Sequence, residues 1–171
     1  LARSAVDLGS HPFGALLGRD GKVVLEARNT VAVDGTVGHA ELNLVRHAMA
    51  TLGRGALSDS TLYTSTEPCA MCAGAIYWAR VPRLVFGCSV EGLHSITEGT
   101  LTLPCRTVFS SGDRTIEIVG PLLEDEAIEV HRALFERALY RQFQALYQEA
   151  VEEAGGSADV LDAGQARRLT K

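Results

Sequence analysis

His39-Ala40-Glu41 and, after a gap of 26 residues, Pro68-Cys69-Ala70-Met71-Cys72 decide how this chain is read. One imidazole and two thiols are good zinc donors. Catalytic zinc commonly keeps three protein ligands and leaves a fourth position for water. Glu41 is then a carboxylate that the metal does not need. Residues two apart do not share a face in the middle of a helix, but His39 and Glu41 can converge at the open end of one. The approach Asp34-Gly35-Thr36-Val37-Gly38 is rich in turn residues. After it, Leu42, Val45, Met49 and Leu52 recur at helical spacing. A helix is therefore predicted from about Gly38 to Leu52, with Gly53 as its stop.

The second motif behaves alike. Thr66, Glu67 and Pro68 form a helix-start signal, since proline tolerates the first turn and acids suit it. Cys69 and Cys72 are three apart and share a face. The unpaired N–H groups and positive dipole end of a helix favour thiolates there. This helix is predicted to end before Pro82. Two helix starts facing each other would hold one zinc between them.

Blander readings exist. A lone C-x-x-C can be a redox motif. A structural zinc would need a fourth protein ligand, which Cys88, Cys105, His94 or His47 could supply. Neither reading uses Glu41 or Pro68. The H-x-E and P-C-x-x-C pair is instead the signature of hydrolytic zinc deaminases, with the glutamate as general acid and base.

On these residues the chain resembles the zinc-dependent cytidine deaminase superfamily, in the branch of guanine deaminases, tRNA adenosine deaminases and fungal-type cytosine deaminases. The resemblance spans roughly residues 11 to 90. It includes His11-Pro12-Phe13-Gly14-Ala15, Arg28-Asn29-Thr30, Leu62-Tyr63-Thr64-Ser65 and Gly74-Ala75-Ile76-Tyr77-Trp78-Ala79-Arg80. Pro12-Phe13-Gly14 and Ile76-Tyr77-Trp78-Ala79 are most similar to guanine deaminases. The resemblance implies zinc, one per chain, on His39, Cys69 and Cys72, with Glu41 moving protons. It implies a substrate base hydrogen-bonded by Asn29 and by the backbone N–H of Ala40. It also implies a homodimer and a five-stranded mixed sheet.

Substrate walls are less specified. Phe13 could stack on a base or pack inside, whereas Trp78 is expected in the core. Glu98 and then Glu91 could touch substrate from the long stretch 89–112, because loops on rigid scaffolds carry function. His47 is expected to be superficial or hydrogen-bonded, and His131 to be on the surface.

Composition narrows the partners. The chain has 171 residues, 46% of them hydrophobic, enough for one domain with a real core. The net charge is −5 and no basic stripe stands out, which disfavours nucleic acid as the substrate. The four cysteines read as metal ligands and thiols, and a cytoplasmic setting is expected. No run approaches the length of a membrane span, and no signal peptide is visible.

Strands are predicted at 13–18, 22–27, 61–64, 84–88 and 115–119. Helices are predicted at 1–9, 38–52, 68–80, 122–139 and 141–153. Alternation of this kind implies a three-layer α/β/α sandwich. Residues 1–154 are read as a single deaminase domain. The polar tail 155–171 is read as packing on a partner subunit. The function expected is hydrolytic deamination of a free nucleobase or analogue, guanine-like, cytosine-like or an aminotriazine. The alternatives are tRNA adenosine deamination and a non-catalytic zinc-stabilised binding domain.

Overall fold

A computed structural model of the chain describes residues 1–97 and 100–153. Leu1–Glu136 form one compact unit, which contains every site residue discussed below. The elements are α1 (Ala2–Asp7), β1 (Gly14–Arg19), β2 (Lys22–Arg28), α2 (Val31–Asp34), α3 (Ala40–Thr51), α4 (Gly53–Leu57), β3 (Thr61–Thr66), α5 (Ala70–Trp78), β4 (Arg83–Cys88), α6 (Val90–His94), α7 (Cys105–Ser110), β5 (Glu117–Val119) and α8 (Glu124–Glu153). A short 3₁₀ turn, Gly35–Val37, lies before α3.

The strands form one mixed sheet in the order β2-β1-β3-β4-β5. β1 pairs antiparallel with β2 and β3, whereas β3–β4 and β4–β5 are parallel. With helices flanking it, the sheet is the middle layer of the expected α/β/α sandwich. The β1–β2 hairpin turns at Asp20 and Gly21, both with positive φ (51° and 70°). Two such residues in a row make the two-residue turn whose twist matches antiparallel strands.

The core sets the site's floor. Leu17, Leu62 and Leu84 from the three central strands bury against Leu44, Ala48 and Ile76 from α3 and α5. On α3 the buried stripe is Ala40, Glu41, Leu44, Val45 and Ala48. The predicted stripe of Leu42, Val45, Met49 and Leu52 was therefore rotated. Met49 and Leu52 are exposed, because the small residues Ala40 and Ala48 let the helix approach the sheet on that side.

Two further expectations change. The stretch 122–153 was read as two helices, but α8 is continuous from Glu124. Leu139-Tyr140-Arg141 offers neither Gly nor Pro to break it. The stretch 89–112, which its glycines mark as a loop with a single short helix, carries two, α6 and α7. The tail 155–171 lies outside the described residues.

Candidate active site

Each motif starts a helix. His39 is the residue before the first turn of α3, with extended backbone (φ −76°, ψ 144°). Cys69 takes the same place before α5 (φ −63°, ψ 168°). Gly38 lets His39 reach this position. A Cβ at Gly38 would lie 2.8 Å from the backbone of Thr30, where the Gly38 carbonyl accepts from the Thr30 N–H at 2.7 Å. Asn43 on α3 reinforces the junction. Its Nδ2 donates to the Arg28 carbonyl at 3.1 Å and to Thr30 Oγ1 at 2.8 Å. The end of β2 is thereby tied to the start of α3.

The two helix starts bring His39, Cys69 and Cys72 together, their donor atoms all within 4.8 Å of one another. His39 Nδ1 lies 3.6 Å from each Sγ. Zinc bonds of about 2.3 Å to sulfur and about 2.0–2.1 Å to nitrogen, at the tetrahedral angle, put the two donor atoms about 3.5–3.6 Å apart. The cluster thus has the edge length and the donor chemistry of a single tetrahedral zinc site. The thiols are prepared for it. The hydrogen bond from Cys72, and after it that to His39, brings Cys69 down to about 4 against the opposing effect of burial. Cys72 is pushed up, first because it donates to Cys69 and then by burial. One thiolate forms readily, and the second needs a cation beside it.

Glu41 stands apart from the cluster. It is buried, and Thr64 Oγ1 donates to its Oε1 at 2.6 Å. Burial raises its proton affinity above that of an ordinary glutamate, with the Thr64 bond pulling the other way. Glu41 is not one of the three clustered donors, but it lies close enough to Cys72 to help keep that thiol protonated.

Ala40, the first residue of α3, is fully buried. Asn29 is also buried, and its Oδ1 accepts from the N–H groups of His11 (3.3 Å) and Val31 (3.1 Å). Part of its role is therefore to shape the turn after β2. Phe13 is half-buried, edge-on to His11 and packed against the rings of His131 and Phe135. Glu91 lies exposed in the first turn of α6. Glu98 lies outside the described residues.

Three residues near the site were given no part in it from sequence. Thr64 holds Glu41. Glu67 accepts the Val90 N–H at 3.1 Å and the Cys105 N–H at 2.8 Å, so one carboxylate next to Cys69 holds the first residues of α6 and α7. A polar residue at an inward-facing strand position, as in Leu62-x-Thr64-x-Thr66, was the available signal. The third is His131, expected on the surface but only 1% exposed. Trp78 moves the opposite way and is 76% exposed. It follows Ile76 by two positions on α5, and that spacing turns it away from the core. His47 is exposed, as expected.

Residues 1–88 match the family described as the cytidine and deoxycytidylate deaminase zinc-binding region. The chain is 38% identical to a probable cytosine deaminase of Schizosaccharomyces pombe, over 80% of this chain and 86% of that protein. It is 33% identical to a tRNA-specific adenosine deaminase of Agrobacterium fabrum, over 78% and 86%. Among solved structures, the guanine deaminase of Bacillus subtilis aligns with a TM-score of 0.53 at 32% identity, over 74% of this chain and 82% of that one.

Proposed function

The chain belongs to the cytidine and deoxycytidylate deaminase zinc-binding family, and from that premise we propose that it hydrolytically deaminates a free nucleobase or a close analogue. The observation that carries the reading is Glu41, buried and hydrogen-bonded to Thr64 beside, but not within, the His39–Cys69–Cys72 cluster. A purely structural zinc domain has no use for it.

Zinc held by His39, Cys69 and Cys72 supplies a Lewis acid that makes water nucleophilic near neutral pH. Glu41 takes the proton that the attacking water gives up and passes it to the ring nitrogen. It then takes the second proton of the former water, now on the C–OH group, and hands it to the departing amine. The amino-bearing ring carbon gains the oxygen of water and its C–N bond breaks. Ammonia leaves, and the carbon keeps the oxygen as a carbonyl. The Ala40 N–H, at the open end of α3, faces a ring carbonyl or nitrogen. Asn29 spends Oδ1 on two backbone amides, so its Nδ2 is the end left for the ring. Phe13 walls the base, and Glu91 and Glu98 are candidates for reading its amino groups.

A free base is favoured over a polynucleotide by charge. Phosphate contacts dominate nucleic-acid affinity, and this chain carries 21 acids against 16 Lys and Arg. The tRNA reading is supported by similarity to tRNA adenosine deaminases, the Agrobacterium fabrum protein among them. Ammonia release measured across guanine, cytosine, an aminotriazine, their nucleosides and a tRNA anticodon stem-loop tests the assignment. Turnover of at least one free base is expected. Inosine formation in the stem-loop with no free base deaminated would overturn it.

The same proposal includes a cytoplasmic homodimer. The homodimer draws its support from an open groove in which Leu42, Met49, Ala75 and the exposed Trp78 lie beside Arg28, Asp34 and Arg46, a mixed apolar and charged surface that a partner could cover. None of the described helices is long and apolar enough to cross a membrane.

Asn29→Asp separates the two roles of that side chain. It keeps an oxygen for the His11 and Val31 amides and removes the Nδ2 donor. A hydrogen bond of typical net worth predicts a fall in kcat/KM of about tenfold, with zinc content unchanged. An unaltered kcat/KM would leave Asn29 as a turn residue only.

A further inference from the structure

His131 is the least economical side chain in the described structure. It lies on α8, almost wholly buried. Its Nε2 sits 2.6 Å from Thr66 Oγ1 and 3.3 Å from the Ser65 carbonyl. Its Nδ1 is sealed from solvent with no hydrogen-bond partner among the described residues. The ring forms a triangle with Phe13, 5.5 Å away, and Phe135, 6.5 Å away, which are 6.0 Å from each other. Burial lowers its proton affinity, against the pull of the Ser65 and Pro12 carbonyls, so the ring is held neutral. A buried imidazole with one nitrogen short of a well-formed partner carries a cost that an apolar ring would not incur. Phe or Leu would serve packing alone better.

The residues that His131 touches explain its place. Thr64 directs Glu41. Ser65 Oγ accepts the Gly14 N–H at 3.2 Å, next to Phe13. Ser65 and Thr66 carry the chain through Glu67 and Pro68 to Cys69. His131 holds this Ser65–Thr66 corner from behind with Nε2 and supports Phe13 with its ring face.

We propose that His131 is a positioning residue for the deamination reaction. It fixes the Ser65–Thr66 corner and so sets Glu41, through Thr64, in register with Cys69 and with the Phe13 wall. This rests on the deaminase reading above. Its signature is a trade: a well-packed replacement gains stability and loses rate, as at sites where function is kept at stability's expense.

The test compares the parent with His131→Phe and His131→Gln, using whichever free base the parent deaminates fastest. Zinc content, Tm, kcat and KM are measured for each. His131→Phe is expected to keep zinc and to match or exceed the parent's Tm. Its kcat should fall about tenfold or more, as small misplacements of reacting groups do, with KM moving much less. His131→Gln, whose amide can donate to the Ser65 carbonyl, should recover most of that kcat. Parental kcat in His131→Phe would overturn the proposal, as would equal losses of Tm and kcat in both variants. If His131→Phe does not fold, Thr66→Val replaces it, removing the touched hydroxyl at nearly constant volume. Parental kcat in that variant is equally fatal. If the parent deaminates nothing, the deaminase reading fails. The visible spectrum of the cobalt-substituted protein then decides this one, because an unshifted spectrum in His131→Phe excludes any hold on Cys69.

Discussion

Replacing Glu41 with Gln is expected to lower kcat by about 10²–10⁴-fold while leaving zinc, fold and substrate affinity in place. Gln has the shape of Glu and keeps an oxygen for the Thr64 hydroxyl, which donates at 2.6 Å. What it lacks is a site that accepts a proton. The proposed mechanism passes protons through this group from water to the ring and from the ring side to the amine, so one substitution interrupts every transfer. Burial strengthens the case. The raised proton affinity of Glu41 makes it a better base than an exposed carboxylate, and among the described residues no carboxylate belongs to the metal cluster to replace it. Ammonia-release kinetics with metal analysis of the same sample read the result. A kcat within a few-fold of the parent's would remove Glu41 from the chemistry and take the hydrolytic reading with it.

The parts of the site that were legible in sequence are those fixed by local rules. A helix start is specified by its own few residues. Gly38 before His39 and Pro68 before Cys69 announced both ends, and the C-x-x-C spacing put two thiols on one turn. The hairpin was legible for the same reason, Asp20-Gly21 lying between the strands predicted at 13–18 and 22–27. What was misread depends on which side of an element meets the rest of the molecule. On α3, large apolar residues suggested one stripe, yet the helix packs through Ala40 and Ala48, because small side chains permit the closer approach. Trp78 looked like core by size and is exposed by angle. His131 looked like surface by type and is buried, because its partners, Phe13, Ser65 and Thr66, lie more than sixty positions away in sequence. Non-local contacts of that kind leave no trace in the periodicity of the helix that carries them.

Glu67 shows how such contacts shape a site that short motifs only begin. It stands two residues before a proposed zinc ligand and holds the amides of Val90 and Cys105, across 23 and 38 residues. The segment between those amides contains both Glu91 and Glu98. Its two ends are therefore registered to the metal-bearing turn, whatever its interior sequence. A scaffold of this kind can keep the zinc chemistry fixed while the residues between the two anchors vary with substrate. That accords with one family containing relatives named for cytosine, guanine and tRNA adenosine.

Cys72→Ala is the other substitution with a large expected effect, and it acts on the metal itself. It should reduce zinc from about one per chain to a trace and abolish turnover. Two donors, His39 and Cys69, would remain, whereas a catalytic zinc site needs three. Stability should fall too. Ligand binding at a thousandfold excess over Kd stabilises a fold by about 4 kcal/mol. At about 2–4 °C per kcal/mol for a domain of this size, Tm should drop by about 8–16 °C. Chelation should lower the Tm of the parent by a similar amount and leave that of Cys72→Ala nearly unchanged, which separates metal loss from a cavity left by the missing sulfur. Acid should weaken binding in the parent, because the thiols must give up their protons to the metal. Cys72, whose thiol is held protonated by its bond to Cys69 and by burial, is the harder of the two to ionise. Protonation of Cys72 should therefore release zinc as pH falls, with Cys69, whose thiol is lowered by its bonds to Cys72 and His39, the later of the two thiols to protonate. Full zinc occupancy in Cys72→Ala would mean that the ligand set is different from the one the geometry assembles.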